Sequence, residues 1–202
     1  MHQLLDNYLC KKYPKIFADR NKSEMESCMH WGLSVGNGWY SLIDTLCHRI
    51  QGHIDTPEWI LKDGIYEEPP KGATRCPQVV MDQLKEKFSG CRVYYHGGDE
   101  YISGMVDLAE ELSYTICEDC GRMDHTVGRN CKGWIHTSCD VHSKKEDHHT
   151  NGGEELDKIW EQVIKDEEEE RKNREEFAKK YKETHGKSYY DVMFGNTTNE
   201  SK

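Results

Sequence analysis

Apolar positions recur along the first half of the chain with periods that change every ten to fifteen residues. Leu4, Leu5, Tyr8 and Leu9 fall on one helical face, and Pro14 follows where that helix would end. Residues 19–30 are polar and read as a loop. Gly36-Asn37-Gly38 is a turn signal, after which Leu42, Ile43, Leu46, Cys47 and Ile50 have helical spacing. Ser41, with Asp44 three residues later, is placed to cap that helix. Residues 63–78, rich in Gly and Pro, read as a loop. Val80, Leu84 and Phe88 recur every fourth residue and predict a short helix over 79–88, with Gly90 to end it. Cys91, Val93 and Tyr95 alternate with Arg92 and Tyr94, a strand pattern. Asp99 then precedes Ile102, Met105, Val106, Ala109 and Leu112, the clearest amphipathic helix in the chain, with Asp99 as its cap.

The pattern changes twice more. Four cysteines crowd into residues 117–139, directly after that helix. Beyond Asn151-Gly152-Gly153, Leu156, Ile159, Trp160, Val163 and Ile164 form a stripe, Asp166 to Arg174 contains no apolar residue, and Phe177, Ala178 and Tyr181 resume one face. This predicts one long charged helix, about 154–183, its charge run a solvated face. The apolar, aromatic tail containing Tyr189, Tyr190, Met193 and Phe194 is a candidate partner-binding motif, or a segment that docks back on its own domain. The expected fold is α+β: a small mixed domain over 1–116, a docked zinc-ribbon-like module over 117–149, and a charged helix with an aromatic tail over 150–202.

Composition narrows the function classes. The 202 residues carry 27 Lys+Arg against 37 Asp+Glu, a net charge of −10. It is distributed as −5, −1 and −4 over the three segments, so no hidden basic module is left to hold phosphate, and direct nucleic-acid binding is not expected. No run approaches the ~18 apolar residues of a membrane helix. The N-terminus lacks a basic region followed by an apolar core, so export is not expected either. An odd count of nine cysteines then argues for a reducing compartment over a disulfide framework. Cys10, Cys28, Cys47, Cys76 and Cys91, scattered among apolar neighbours, are expected to be packing residues.

The clustered cysteines need a different account. Cys117-Glu118-Asp119-Cys120-Gly121 places two thiols three positions apart in a tight turn, with a glycine where a positive φ is needed. Cys139 and His142 repeat the spacing eighteen residues further on, and Trp134, Ile135 and Thr137 have strand character to deliver them. Two such turns supply four soft or borderline ligands, a set that suits tetrahedral structural zinc. The fourth ligand has alternatives: Cys131 and His136 lie close enough in sequence to replace His142. A closed set of four protein ligands leaves no position for activating water.

Three stretches together resemble an uncharacterised family of small phage- and prophage-encoded proteins with a C-terminal CxxCG zinc-knuckle segment. They are Gly38-Trp39-Tyr40-Ser41-Leu42-Ile43-Asp44-Thr45-Leu46-Cys47; Val80 to Phe88 with Arg92-Val93-Tyr94-Tyr95; and Ala109-Glu110-Glu111-Leu112-Ser113 with Cys117-Glu118-Asp119-Cys120-Gly121 and Gly133-Trp134-Ile135. The resemblance covers about residues 28–142. The family usually has two glycines where this chain has Ser89 and Gly90, a larger aliphatic at Cys91, and cysteine more often than histidine at position 142. The resemblance implies a bacteriophage origin and the cytoplasm of an infected bacterium. It implies no activity.

Three functions are compatible with these residues. The first is a non-enzymatic zinc-containing binding protein that engages or inhibits a host protein, or another phage protein, during takeover or counter-defence. The second is a zinc-ribbon accessory factor working beside nucleic-acid machinery. The third is an HNH-type metal nuclease, with Asp124-His125, Asn130 and Cys139 to Lys145 as its motif; only 13 residues between His125 and Cys139 and a nearly neutral segment argue against it. His96, Asp99 and Glu100 form a further candidate centre, for which a surface histidine beside a glycine turn and a helix cap is the simpler reading.

Overall fold

The computed structural model describes residues 1–62, 64–130, 133–143, 148–150, 153–186 and 188. The tail residues Tyr189, Tyr190, Met193 and Phe194, and Cys131, lie outside the described residues. The chain divides into two compact units, Met1–Asn151 and Gly152–Lys202.

In the first unit α1 (Gln3–Lys12) and short 3₁₀ turns precede α2 (Tyr40–Ile54). The hairpin β1 (Ile60–Lys62) and β2 (Ile65–Glu67) follows, then the hairpin β3 (Val80–Lys87) and β4 (Gly90–His96), then α3 (Glu100–Ser113). Three short strands complete it: β5 (Gly128–Asn130), β6 (Thr137–Ser138) and β7 (His148–Thr150), in antiparallel order β6-β5-β7. The core forms where α2 and α3 pack together, α3 lies on β4, and the 3₁₀ turns at 18–21 and 28–31 lie on β3. Ile43, Leu46, Cys47, Ile50 and Ile54 of α2 meet Ile102, Val106 and Ala109 of α3 in that cluster, with Trp39 fully buried. Asp99 caps α3 as expected, its Oδ1 accepting the Ile102 N–H at 3.0 Å.

Several local readings are corrected. Residues 80–87 are a strand, not a helix. A repeat of four is an even number, so it keeps one face of a strand as well as one face of a helix; the antiparallel ladder to β4 decides. A bulge between Met81 and Gln83 shifts the alternation, so that Met81 and Leu84 both turn inward and are fully buried. Phe88 and Ser89 both adopt positive φ (55° and 68°), as the central pair of a type I′ hairpin does, and Gly90 opens β4 instead of ending a helix.

α1 buries Asp6 and Leu9, while Leu4 and Tyr8 are exposed (73% and 56%). The buried carboxylate is fully engaged: Arg20 at 3.1 Å, the Leu33 N–H at 3.3 Å and the Cys10 thiol at 3.3 Å. α2 starts at Tyr40 with no side-chain cap, so Ser41 and Asp44 do not cap it. Asp44 instead accepts from Lys12 at 2.7 Å and the Tyr13 hydroxyl at 2.8 Å, tying α2 to the end of α1. Two loops are also more ordered than expected: 3₁₀ turns occupy 18–21 and 28–31, and β2 lies within 63–78.

The second unit contains α4 (Gly153–His185). Tyr181 stacks on His185 at 4.2 Å, one turn away. Among the described residues, no helix is long and apolar enough to cross a membrane.

Candidate metal centre

α3 ends at Ser113, and one turn later the chain folds back on itself. Cys117 donates its N–H to Arg122 O at 2.9 Å, and Gly121 donates to Cys117 O at 2.8 Å. Gly121 takes φ +81°, the left-handed conformation this closure requires. The second turn has the same construction: the N–H groups of His142 and Ser143 both reach Cys139 O, at 3.0 and 2.9 Å. Arg122 bridges the two turns through Asp140 at 2.7 Å.

These turns bring Cys117, Cys120, Cys139 and His142 together, with one donor atom from each lying within 4.8 Å of the others. Cys120 Sγ and Cys139 Sγ are 3.8 Å apart, and His142 Nδ1 stands 3.3 Å from Cys139 Sγ and 3.7 Å from Cys117 Sγ. A tetrahedral ion with bonds of about 2.3 Å to sulfur and about 2.0 Å to nitrogen needs S–S edges of about 3.8 Å and S–N edges of about 3.5 Å. The three edges are within about 0.3 Å of that geometry, which suits one ion shared by the donors. Cys117 and Cys139 are fully buried in one cluster with Val127, whereas Cys120 and His142 are exposed. Burial pushes the Cys117 thiol up to about 11 against the pull of nearby backbone N–H groups. Burial also pushes Cys139 upward, but the His142 ring and the His142 and Val141 N–H groups outweigh it and bring that thiol down to about 7.

His136 stands outside the donor cluster. Its Nδ1 lies 3.1 Å from Glu118 and its Nε2 2.9 Å from Asp119, so both ring nitrogens face carboxylates. The bond to Glu118 is the main reason its pKa is raised to about 9; partial burial opposes it and Asp119 adds to it. Glu118 does more. Its Oε1 accepts the Gly36 N–H at 2.8 Å and its carbonyl accepts the Gly38 N–H at 2.7 Å. The buried Trp39 indole donates to Ile116 O at 2.9 Å, and Thr137 Oγ1 donates to Ser89 O at 2.7 Å. The first cysteine turn thus sits directly on the Gly36–Gly38 turn, and β6 on the β3–β4 turn.

Docking of the segment was expected, but its seat on the Gly36–Gly38 turn was not. Its signal was present in the two glycines before Trp39: a Cβ on Gly38 would overlap Cys117 O and Gly121 N, and one on Gly36 would overlap Glu118 O. The delivering strand is also shorter than expected. Only Thr137 and Ser138 are in β6, while Trp134 and Ile135 are exposed.

The other candidate centre is rearranged. His96 is a surface residue paired with Asp82 at 2.9 Å and does not join Asp99. Asp99 instead faces His53, whose Nε2 is 2.8 Å from Asp99 Oδ2, and Cys76. The ring of His53 is the main reason Asp99 is held below its usual range, and burial, then Asp99, push the Cys76 thiol up. Of the five scattered cysteines, Cys47, Cys76 and Cys91 are buried, Cys10 is half-buried, and Cys28 is exposed, contrary to a packing role.

No protein-family model, curated protein or solved structure matches this chain.

Proposed function

We propose that this is a zinc-stapled binding protein, phage-encoded, that engages a host protein in the cytoplasm of an infected bacterium. The observation that carries the zinc reading is the donor set of Cys117, Cys120, Cys139 and His142 at tetrahedral spacing. Three thiols and an imidazole favour zinc over hard cations, and four protein donors fill a tetrahedron. Such an ion staples the two cysteine turns to each other and leaves catalysis no open position. An HNH reading would need His142 free to act at a second ion, and that residue already belongs to the donor set. The partner reading is supported by the resemblance to phage-encoded proteins and by a net charge of −10, which steers encounters toward basic protein surfaces.

The test is affinity capture from infected-cell lysate with the zinc-loaded full chain as bait, identifying bound proteins by mass spectrometry. The expected result is one host protein retained in salt-sensitive, near-stoichiometric amount. Cleavage of DNA or RNA by the pure protein with Mg²⁺ or Mn²⁺, or absence of any retained host protein, overturns the reading.

A further inference from the structure

The cluster built on His53, Cys76 and Asp99 is independent of the first centre. Three separate elements deliver it: the last turn of α2, the segment before β3, and the cap of α3. One donor atom from each residue lies within 4.8 Å of the other two. The His53 side chain is only 10% exposed, and Cys76 8%. Two of the three are fixed from behind. Tyr101 stacks on the His53 ring at 4.5 Å and 21°, which sets the plane of the imidazole. The second oxygen of Asp99 is held by the Ile102 N–H at 3.0 Å, which sets the carboxylate. Orientation of ligands by neighbours of this kind is what metal sites require.

The surroundings differ from those of the first centre. His53 and Asp99 form part of the wall of a cleft of about 620 Å³, together with Pro57, Pro70, Arg75 and Tyr101. That volume lies within the range of small-ligand sites.

We propose that His53, Cys76 and Asp99 form a second metal site, selective for zinc-like divalent ions, with three protein ligands and a fourth position facing the cleft. An imidazole, a thiolate and one carboxylate suit a borderline ion and are a poor set for Mg²⁺ or Ca²⁺. Thiolate and carboxylate together balance a charge of +2. A tetrahedral ion needs its nitrogen and oxygen donors about 3.3 Å apart, so the 2.8 Å pair of His53 and Asp99 must open by about half an ångström to admit it. Three ligands and an open position are the arrangement in which zinc holds water or an incoming ligand atom.

A nucleophilic cysteine is the competing use of the same residues. That use needs the histidine next to the thiol with the carboxylate behind the histidine. Here the carboxylate faces both His53 and Cys76, which is the geometry of a chelate and not of a relay.

The test uses the full chain, stripped of metal and titrated with Co²⁺ and then Zn²⁺, reading stoichiometry by calorimetry and thiolate-to-cobalt charge transfer by absorption. Wild type is expected to bind two ions per chain, one accompanied by the charge transfer of three thiolates and the other by that of one. Cys76→Ser and His53→Gln should each lose one equivalent while the three-thiolate band persists; the persisting band also reports that the variant is folded. A wild-type stoichiometry of one with the three-thiolate band present, or a second equivalent retained in both variants, overturns the proposal. Loss of the three-thiolate band from wild type would refute the first centre alone, because the second is read from the difference between wild type and Cys76→Ser.

Discussion

Replacing Gly38 by alanine tests how the cysteine segment is held. Gly38 lies in a 3₁₀ turn without a positive φ, so alanine meets no backbone penalty there. The only cost is space. The new methyl would overlap Cys117 O and Gly121 N, both backbone atoms that cannot swing aside as a flexible side chain would. The first cysteine turn must therefore lift. Lifting it breaks the Gly38 N–H to Glu118 O bond at 2.7 Å, the Gly36 N–H to Glu118 carboxylate bond at 2.8 Å, and strains the buried Trp39-to-Ile116 bond at 2.9 Å. At about 0.5–1.5 kcal/mol for each, the expected loss is about 2–4 kcal/mol. Gly104 is the control. It lies inside α3 with nothing within 4 Å of the point where a methyl would stand, so Gly104→Ala should stabilise by about 0.5–1 kcal/mol. Urea unfolding of the zinc-loaded protein at fixed pH measures both, provided the slope is unchanged. A Gly38→Ala variant within about 0.5 kcal/mol of wild type would show that the segment is not docked on this turn.

Two further predictions concern the same region. His136 has its pKa raised to about 9, so its ion pairs with Glu118 and Asp119 stabilise the fold fully below about pH 6.5 and cease to do so as the pH climbs through 9. After allowance for the partly exposed ring, the contribution is about 1–2 kcal/mol, and the stability gap between wild type and His136→Gln should close between about pH 6.5 and 9.5; a gap independent of pH would refute it. Cys117→Ser removes a fully buried donor and should release one equivalent of tightly held zinc and lower the melting temperature, a result checked by metal analysis and calorimetry; unchanged metal content and melting behaviour would sink the structural-zinc reading.

How far the chain can be read from its order of residues depends on distance along it. α3 is legible because its cap and its apolar face are all within about fourteen residues. The donor set is legible because each half is a local turn with two residues between its ligands, and backbone bonds within each turn are enough to present both side chains. Spacing favours His142 over His136, and His136 indeed faces two carboxylates instead. The strand β3 defeats a local reading because its repeat of four suits either period, and the partner that settles the matter lies across a hairpin turn. α1 defeats it because its inward face carries Asp6, whose burial depends on Arg20 and on the backbone at Leu33.

The sequence by itself determined the two cysteine turns, the acidic balance of all three segments, the α3 helix and the lack of a long apolar run. These are properties of neighbours along the chain, governed by turn geometry, side-chain periodicity and charge. Only the tertiary structure decided that Gly36 and Gly38 form a seat for the first cysteine turn, and that His53, Cys76 and Asp99 converge. Each of those three residues lies 23 positions from the next. No local periodicity links them, and what brings them together is the burial of α2 against α3 and the bonding of the Arg75 N–H to Ile54 O at the end of α2, an energy that belongs to the packed core and to no single stretch of the chain.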